Sequence, residues 1–308
     1  MADTPDETLE QLEILFHRLL AADDPDTRLT VALAGLAELF NIRHTMVFVP
    51  CADETVNEGL TSIASHGYPP GGVGANVPIG QGIIGIAAER QRGMRLSNIQ
   101  RGINMMRAIH TAPAGDENEK RRIPFVGIVN AQSQMALPMI VEENLIGVLY
   151  AEDTQAGAFS SAHQHIAQII AHTLARDLLS ESVAETESSP KAAIETTAQI
   201  SAPRLVVDCY AADSSVFFDG EYVIKSLPGS ILTRLLHEHV EQGRTDFTLR
   251  EMRLDPALQN YAGRDNLDAR LILLRRRLEE RFPFVGIERT GRGRFRLVVE
   301  RTIILNQR

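Results

Sequence analysis

The sequence predicts an α+β protein of two domains joined by a linker, and three observations lead to this prediction. A chain of 308 residues is long enough for two domains of ordinary size. Amphipathic helical patterns alternate with short apolar runs connected by turns, the pattern of antiparallel sheets flanked by helices. Residues 181–203 are rich in Ser, Thr, Glu, Ala and Pro, which predicts a linker between domains at residues 8–180 and 204–301.

The net charge of −9 conceals a basic C-terminal part. From Ser201 onward the chain has 18 Lys and Arg against 15 Asp and Glu, a net of +3, whereas the remainder has 13 against 25, a net of −12. An acidic N-terminal part and a basic C-terminal part are expected when only the C-terminal part binds nucleic acid. The small excess predicts a local basic patch and not a strong general affinity for DNA.

The composition predicts a cytoplasmic protein. The sequence has no apolar run of about 18 residues, the length that a transmembrane helix requires. Residues 1–10 are acidic and polar, unlike a signal peptide. Cys51 and Cys209 lie far apart in the chain, so a structural disulfide is not indicated and a reducing compartment is expected.

The first domain opens with two amphipathic helices, at residues 8–22 and 27–40. An Asp-Asp-Pro-Asp segment between them ends the first helix and caps the second. Strands are predicted at residues 45–49 and 61–65. The Gly-Gln-Gly at residues 80–82 then begins a tight turn into a helix, but no βαβ repeat surrounds it, so a dinucleotide-binding fold is not indicated.

The second half of this domain contains a long irregular stretch and a hairpin. Residues 97–130 form either a lid over a small-molecule pocket, with Arg107 available for an anionic group, or a surface loop whose methionines pack on the sheet. Strands at residues 134–140 and 145–151 follow across a Glu-Glu-Asn turn. A helix at residues 161–179, with an isoleucine and leucine stripe, closes the domain.

In this order of elements the first domain resembles the GAF family of sensor domains. The matching segments are Gly-Gln-Gly-Ile-Ile-Gly at residues 80–85, the strands at 136–139 and 146–149, and Phe159-Ser160 before the closing helix. The resemblance implies a central antiparallel sheet flanked by helices, a bound small molecule or partner signal, and a homodimer formed by the first and the closing helix. The Asn-Lys…Phe…Asp-Glu signature of cyclic-nucleotide-binding members is missing, and so is a cysteine where bilin-binding members attach their pigment.

Six residues of this domain are candidates for contacting a ligand: Phe48, His66, Asn98, Met106, Arg107 and His110. For the histidines, a solvated or hydrogen-bonded imidazole is the alternative. No pair of histidines has metal-ligand spacing, so no metal site is predicted. The sequence also shows no Ser/His/Asp, Cys/His or paired-carboxylate set, so we expect a protein that is not an enzyme. The cofactor, if there is one, is unknown.

The second domain ends in a helix followed by a basic hairpin. Leucines recur at spacings of four, three and four residues from Leu267 to Leu278, and Pro283 ends the helix. Two apolar runs then flank Thr-Gly-Arg-Gly-Arg at residues 290–294, which predicts a β-hairpin with an arginine-rich tip. Further helices are predicted at residues 228–241 and 248–254.

Residues 205–299 resemble the winged-helix effector domain of bacterial response regulators. The family's third helix carries a pattern that here is Leu-Asp at residues 267–268 and Leu-Arg-Arg-Arg-Leu at 274–278, and the end of its wing is Gly-Arg-Phe-Arg-Leu at 293–297. The resemblance implies a winged helix-turn-helix that binds double-stranded DNA. We expect Asn266 to contact adenine and Arg270 guanine, and four arginines to contact phosphates or the minor groove: Arg275, Arg276, Arg292 and Arg294.

Two hypotheses follow for the whole chain. In the first, a GAF domain senses a small molecule or partner and changes how a dimer presents two winged helices to a two-part DNA site. In the second, the protein is a signalling adaptor, because Ile272 and Leu273 stand where the family usually has polar or basic residues and would form an apolar surface for a protein partner. A third class, an enzyme, lacks a catalytic set.

Overall fold

The computed structural model describes residues 5–51, 59–99, 123–125, 127–180, 203–259 and 266–308. The chain divides into two compact units, Met1–Leu179 and Ser180–Arg308. The predicted linker lies almost wholly outside the described residues. No helix in the described part of the chain is both long and apolar enough to cross a membrane.

A curled sheet of seven described strands forms the centre of the first unit, in the order β4-β6-β7-β1-β2-β3-β5. Neighbouring strands are antiparallel, except that β3 and β5 are parallel. The strands are β1 (His44–Cys51), β2 (Gly59–His66), β3 (Ala75–Pro78), β4 (Met94–Ser97), β5 (Ile123–Pro124), β6 (Ser133–Val141) and β7 (Asn144–Asp153).

Helices cover both faces of this sheet. They are α1 (Pro5–Ala21), α2 (Pro25–Phe40), α3 (Gly82–Arg90) and α4 (Ser161–Ser180). Helix α3 packs on β6 and β7, whereas α2 packs on β1 and β2 and also contacts α1. Side chains alternate between the two faces along each strand, and both alternating sets are buried. The helices and strands predicted for this part of the chain are thus confirmed within a few residues.

The start of α2 confirms the predicted cap. The Asp24 carboxylate accepts hydrogen bonds from the backbone N–H groups of Asp26 (3.0 Å) and Thr27 (3.1 Å). These bonds satisfy two of the donors that a helix leaves open at its first turn. The helix ends at Asn41, which adopts a left-handed conformation with φ of 54°.

The second unit contains two small sheets. The described strands and helices are β8 (Arg204–Cys209), β9 (Val216–Phe218), β10 (Glu221–Ile224), α5 (Ser226–Gln242), β11 (Asp246–Thr248), α6 (Leu249–Leu254), α7 (Pro256–Gln259), α8 (Leu267–Arg281), β12 (Val285–Gly291), β13 (Arg294–Val299) and β14 (Thr302–Gln307). One sheet has the order β10-β9-β8-β14 and the other β11-β13-β12. The predicted helices and hairpin are confirmed, but β14, which pairs in parallel with β8, lies beyond the predicted domain end at residue 301.

Helix α8 is enclosed on several sides, because it contacts α5, α6, β10 and β12. Leu274 and Leu278 are fully buried, as the leucine spacing predicted. Ile272 and Leu273 are also buried, with exposed fractions of 7% and 3%. The prediction that these two residues form an exposed apolar surface is therefore wrong. The neighbouring helices and strands cover more of the circumference of α8 than its leucine stripe alone.

Ion pairs connect the helices of this unit. The Arg244 guanidinium donates to Glu238 of α5 (2.6 Å) and Glu251 of α6 (2.6 Å). Arg253 of α6 donates to the buried carboxylate of Asp268 in α8 (2.7 Å). Burial opposes the charge of Glu238, but hydrogen bonds from arginines outweigh it and lower the pKa of this carboxyl. The arginines of this unit therefore serve its internal packing as well as its surface.

We expect Gly229→Ala to destabilise the second unit by at least about 2 kcal/mol, because overpacked sites cost this much. A Cβ atom at Gly229 would lie 1.9 Å from the backbone oxygen of Ser214. Gly286→Ala is the matched control, since a Cβ atom there meets nothing within 4 Å, and should change stability by less than about 0.5 kcal/mol. Calorimetric unfolding of the full chain measures both, and equal transitions for the two variants would contradict the packing described.

Candidate functional site

One face of the first unit's sheet, here called the inner face, is apolar and covered by α3. It comprises buried residues of β1, β6 and β7 together with residues of α3 and neighbouring strands: Met46, Phe48, Leu60, Val77, Ile83, Ile84, Ala87, Ala88, Ala136, Val148 and Tyr150. The half-buried ring of Phe125 packs edge-on against Phe48 (5.8 Å between centroids) and Tyr150 (5.5 Å). The inner face therefore carries a group of three aromatic rings.

A buried carboxylate lies at one end of this aromatic group. Glu152 is 1% exposed. Its Oε1 accepts hydrogen bonds from the hydroxyl of Tyr68 (2.9 Å) and the backbone N–H of Ile128 (2.7 Å), and its Oε2 accepts from the hydroxyl of Tyr150 (2.8 Å). Alternation along β7 places Tyr150 and Glu152 on the same face. Three donors from separate segments thus converge on one carboxyl group.

The two tyrosines are held in their neutral form. Burial raises the pKa of the Tyr68 hydroxyl, and the charge of Glu152 and the hydrogen bond to it raise it further. The pKa of Tyr150 is raised by burial and then by the charges of Glu152 and Tyr68. A tyrosine that stays protonated remains a hydrogen-bond donor, so the two hydroxyls keep their role at the carboxylate well into the alkaline range.

His44 borders the same group. It pairs with Glu152 across β1 and β7, and its ring contacts Tyr68 edge-on at 5.7 Å between centroids. The His44 Nδ1 atom is buried and has no hydrogen-bond partner among the described residues. A polar atom in this position is available to a group that enters the site.

The predicted ligand residues have different locations. Phe48 lies on the inner face. His66 pairs with Thr45, whereas Met46 pairs with Ser65, so His66 lies on the opposite face from Met46. His66 therefore lies apart from the apolar residues of the inner face. Asn98 is exposed in a left-handed conformation with φ of 59°.

The other three predicted ligand residues, Met106, Arg107 and His110, lie outside the described residues. Sequence reasoning missed four residues that the structure places together: Tyr68, Phe125, Tyr150 and Glu152. A signal was present, because Tyr150 and Glu152 stand two residues apart in a strongly apolar strand, where a carboxylate on the buried face requires partners. Among the described residues, no group of three His, Cys, Asp or Glu side chains could hold a metal ion.

In the second unit, two predicted base contacts are used within the fold. The side chain of Asn266 caps α8 by accepting from the N–H groups of Asp268 (3.0 Å) and Ala269 (3.3 Å). Arg270 is 1% exposed, so the prediction that it faces a DNA groove is wrong. The leucine pattern did not indicate burial of an arginine at this position of α8.

The four predicted phosphate contacts lie nearer the surface. Arg292 is exposed at the turn between β12 and β13, and Arg294 is half-buried at the start of β13. Arg275 and Arg276 are half-buried on α8, and the Nε of Arg275 donates to Glu279 at 2.9 Å. The structure therefore places Arg292 and Arg294 at the hairpin tip, apart from Arg275, whose charge is partly neutralised within the helix.

The raised pKa values predict an alkaline transition in the folded protein. The pKa values of Tyr68 and Tyr150 in the folded protein exceed the value of about 10 in the unfolded chain. The free energy of folding that this difference contributes is fully present below about pH 10 and is lost as the pH rises further. Tyrosinate absorbance should therefore increase in a separate late step that accompanies unfolding. The Tyr68→Phe/Tyr150→Phe double variant should lack this late fraction, and its persistence would contradict the burial of these hydroxyls.

Solved structures similar to the chain match its first unit. The GAF domain of a phosphoenolpyruvate-protein phosphotransferase from Coxiella burnetii is 19% identical, with a TM-score of 0.46, and the match covers 58% of this chain and 97% of that one. The corresponding Acinetobacter domain is 16% identical with a TM-score of 0.46, covering 60% and 100%. A free methionine-R-sulfoxide reductase from Neisseria meningitidis is 15% identical with a TM-score of 0.43, covering 57% and 92%.

No curated protein matches the chain. The family model of the GAF domain matches residues 24–178, which include α2, α3, nearly all of α4 and the whole seven-stranded sheet. The curled antiparallel sheet with helices on both faces agrees with this match. The chain therefore belongs to the GAF domain family, a family of signal-sensing domains.

Proposed function

We propose that the protein is a cytoplasmic, signal-responsive transcription regulator that binds double-stranded DNA as a homodimer. Its GAF unit senses a small molecule, and its C-terminal unit, a winged helix, contacts the DNA. The observation that carries the proposal is the exposed arginine at the tip of the β12–β13 hairpin, directly after α8. A helix followed by a basic hairpin supports a winged helix, in which helix and wing contact neighbouring parts of a duplex.

The surface charges of the C-terminal unit favour the hairpin tip as the main DNA contact. Several exposed or half-buried arginines are engaged with carboxylates: Arg275 with Glu279, Arg281 with Glu221 and Arg296 with Asp246. The exposed Arg250 is close to the tip, because the backbone N–H of its neighbour Leu249 donates to the Gly293 oxygen at 2.9 Å. Arg250 and Arg292 thus form a basic edge suited to phosphates, which position a protein without reading sequence.

The adaptor alternative has lost its supporting observation, since Ile272 and Leu273 are buried in the C-terminal unit. The proposal also describes a protein without catalytic activity. The hydrogen-bonded side chains of the inner face within the described part of the chain are Glu152, Tyr68 and Tyr150, and none of these is a cysteine, serine or lysine nucleophile.

Exposed apolar side chains on two helices support the homodimer. Leu9 and Leu20 of α1 are 64% and 79% exposed, and Ile169 of α4 is 45% exposed. In a two-fold dimer, α1 of one subunit can lie against α4 of the other, which buries Leu9, Leu20 and Ile169.

Arg292→Ala should weaken binding of the full chain to duplex DNA severalfold at low salt. It should also reduce the slope of log affinity against log salt by about one for each bound subunit. Each phosphate contact that the variant lacks means that about one counterion fewer is released on binding. Fluorescence anisotropy across a salt series measures both quantities. The matched control is Arg296→Ala on the same hairpin, whose guanidinium is engaged with Asp246 at 3.0 Å. Loss of affinity in both variants to the same extent would overturn the assignment of the tip.

Leu20→Glu should shift the full chain from dimer toward monomer at micromolar concentration, since it puts a charge into the apolar contact proposed for α1. Leu254→Glu is the control, because Leu254 in the other unit has a comparable exposed fraction of 64%. Analytical ultracentrifugation gives the mass of each variant. The dimer proposal fails if the unaltered chain sediments as a monomer, or if both variants dissociate equally.

A further inference from the structure

We propose that strand β14 is a docking surface for a second copy of the chain, and that two C-terminal units join by antiparallel pairing of their β14 strands about a two-fold axis. The two sheets of order β10-β9-β8-β14 then form one continuous sheet across the subunits. The inference goes beyond the proposed function, because this contact needs neither the GAF helices nor DNA.

The first argument is the direction of the backbone groups of β14. Within the described part of the unit, β8 is its one strand neighbour, so β14 is an edge strand. The N–H groups of Thr302 and Arg308 donate to the backbone oxygens of Pro203 (3.1 Å) and Cys209 (2.8 Å). Backbone groups alternate in direction along a strand, so the odd-numbered residues direct their N–H and C=O groups away from β8: Ile303, Leu305 and Gln307. Such a row of groups is a template for pairing with another strand.

The second argument is that this edge lacks the features that prevent pairing. Natural edge strands are protected by charged residues, prolines or bulges. Strand β14, with the sequence Thr-Ile-Ile-Leu-Asn-Gln, contains no charged residue and no proline, and its register with β8 is continuous. The arginines on either side are held within their own unit. Arg301 lies over the Phe284 ring at 3.7 Å, and the Nε of Arg308 donates to Asp208 at 3.1 Å.

The third argument is that β14 is complementary to itself. Alternation places Ile303 and Leu305 on one face of the sheet, and Thr302, Ile304 and Asn306 on the other. With the two-fold axis at Ile304, this residue lies opposite Ile304 of the second copy. Ile303 then lies opposite Leu305, and Thr302 opposite Asn306. Apolar residues meet apolar ones and polar residues meet polar ones, and the Ile303–Leu305 pairs are the hydrogen-bonded pairs that their outward backbone groups require.

Other registers lose this agreement. A two-fold axis at Leu305 puts Ile304 opposite Asn306 and Ile303 opposite Gln307, so that apolar side chains meet polar ones. An axis at Ile303 puts Ile304 opposite Thr302 and Leu305 opposite Arg301. Because the pattern of apolar residues sets the register of a strand pair, the axis at Ile304 is the favoured one.

The fourth argument is the exposure of Ile304 itself. This side chain is 40% exposed, and its partner in β8 is the half-buried Val206. In the proposed register the two copies of Ile304 form a non-hydrogen-bonded pair, the kind of pair whose side chains lie closer together. The contact therefore covers apolar surface that is exposed to water in a single copy.

Cross-linking of the full chain tests the register directly. Ile304→Cys places two thiols across the proposed axis with Cα atoms about 4.5 Å apart, within the range of disulfides. Mild oxidation should convert most of this variant to a covalent dimer. Thr302→Cys is the matched control on the same face, because the two copies of residue 302 are then about 13 Å apart along the strands. It should cross-link at least about tenfold less.

The unaltered chain, which contains Cys51 and Cys209, gives the background of this experiment. Absence of a cross-link in Ile304→Cys above that background, or equal yields for Ile304→Cys and Thr302→Cys, would overturn the proposal. Neither yield involves DNA, so a failure of β14 pairing and a failure of DNA recognition are separate results.

Hydrogen exchange provides a second test that needs no added thiol. The amides of Ile303 and Leu305 should exchange at least about tenfold more slowly in concentrated than in dilute protein, since pairing protects them. Ile304→Lys puts like charges opposite each other and should abolish this protection. Thr302→Lys adds the same charge opposite Asn306 and should keep most of it. Exchange of these amides that does not depend on concentration, or that is the same in both variants, contradicts pairing between copies.

Discussion

The buried carboxylate of Glu152 is the interaction on which the arrangement of the GAF unit most depends. It lies in a sheet with a largely apolar core, and it is satisfied by groups from three separate parts of the chain. Tyr68 follows β2, Tyr150 belongs to β7 itself, and Ile128 precedes β6. Each donor fixes the position of its own segment, because leaving one oxygen of a buried carboxylate unsatisfied costs about as much as a lost hydrogen bond to a charged group, on the order of 2 kcal/mol.

In the C-terminal unit the charged side chains that connect the elements include arginines, whereas in the GAF unit the central charged side chain is a carboxyl group. Several of its arginines form ion pairs with carboxylates, and these pairs connect α5, α6 and α8. Burial of Arg270 and capping by Asn266 remove two side chains from the surface of α8. Arg250 and Arg292 are exposed near the tip of the β12–β13 hairpin. We propose that this unit attaches to the phosphate backbone, which positions a protein on DNA without reading its sequence.

Periodicity predicted most of the elements, because each helix or strand buries one side against a partner. The cap at Asp24 was predictable because its chemistry is local. The inner-face site was not, since Tyr68 and Glu152 are 84 positions apart and only the pairing of the strands brings them together. The one-residue offset of His66 depends on register, which the sequence of a single strand does not encode. The burial of Ile272 and Leu273 depends on how many neighbours surround α8, and strand β14 depends on a parallel pairing between the two ends of its unit.

We propose that a dimer of this GAF protein recognises DNA through its C-terminal units. Selection of random duplexes by the full chain, followed by sequencing of the retained pool, tests this proposal most directly. We expect enrichment of a site with two half-sites whose centres are about one helical turn apart. A pool that stays unenriched after repeated rounds at low salt, with a folded dimer, would contradict it.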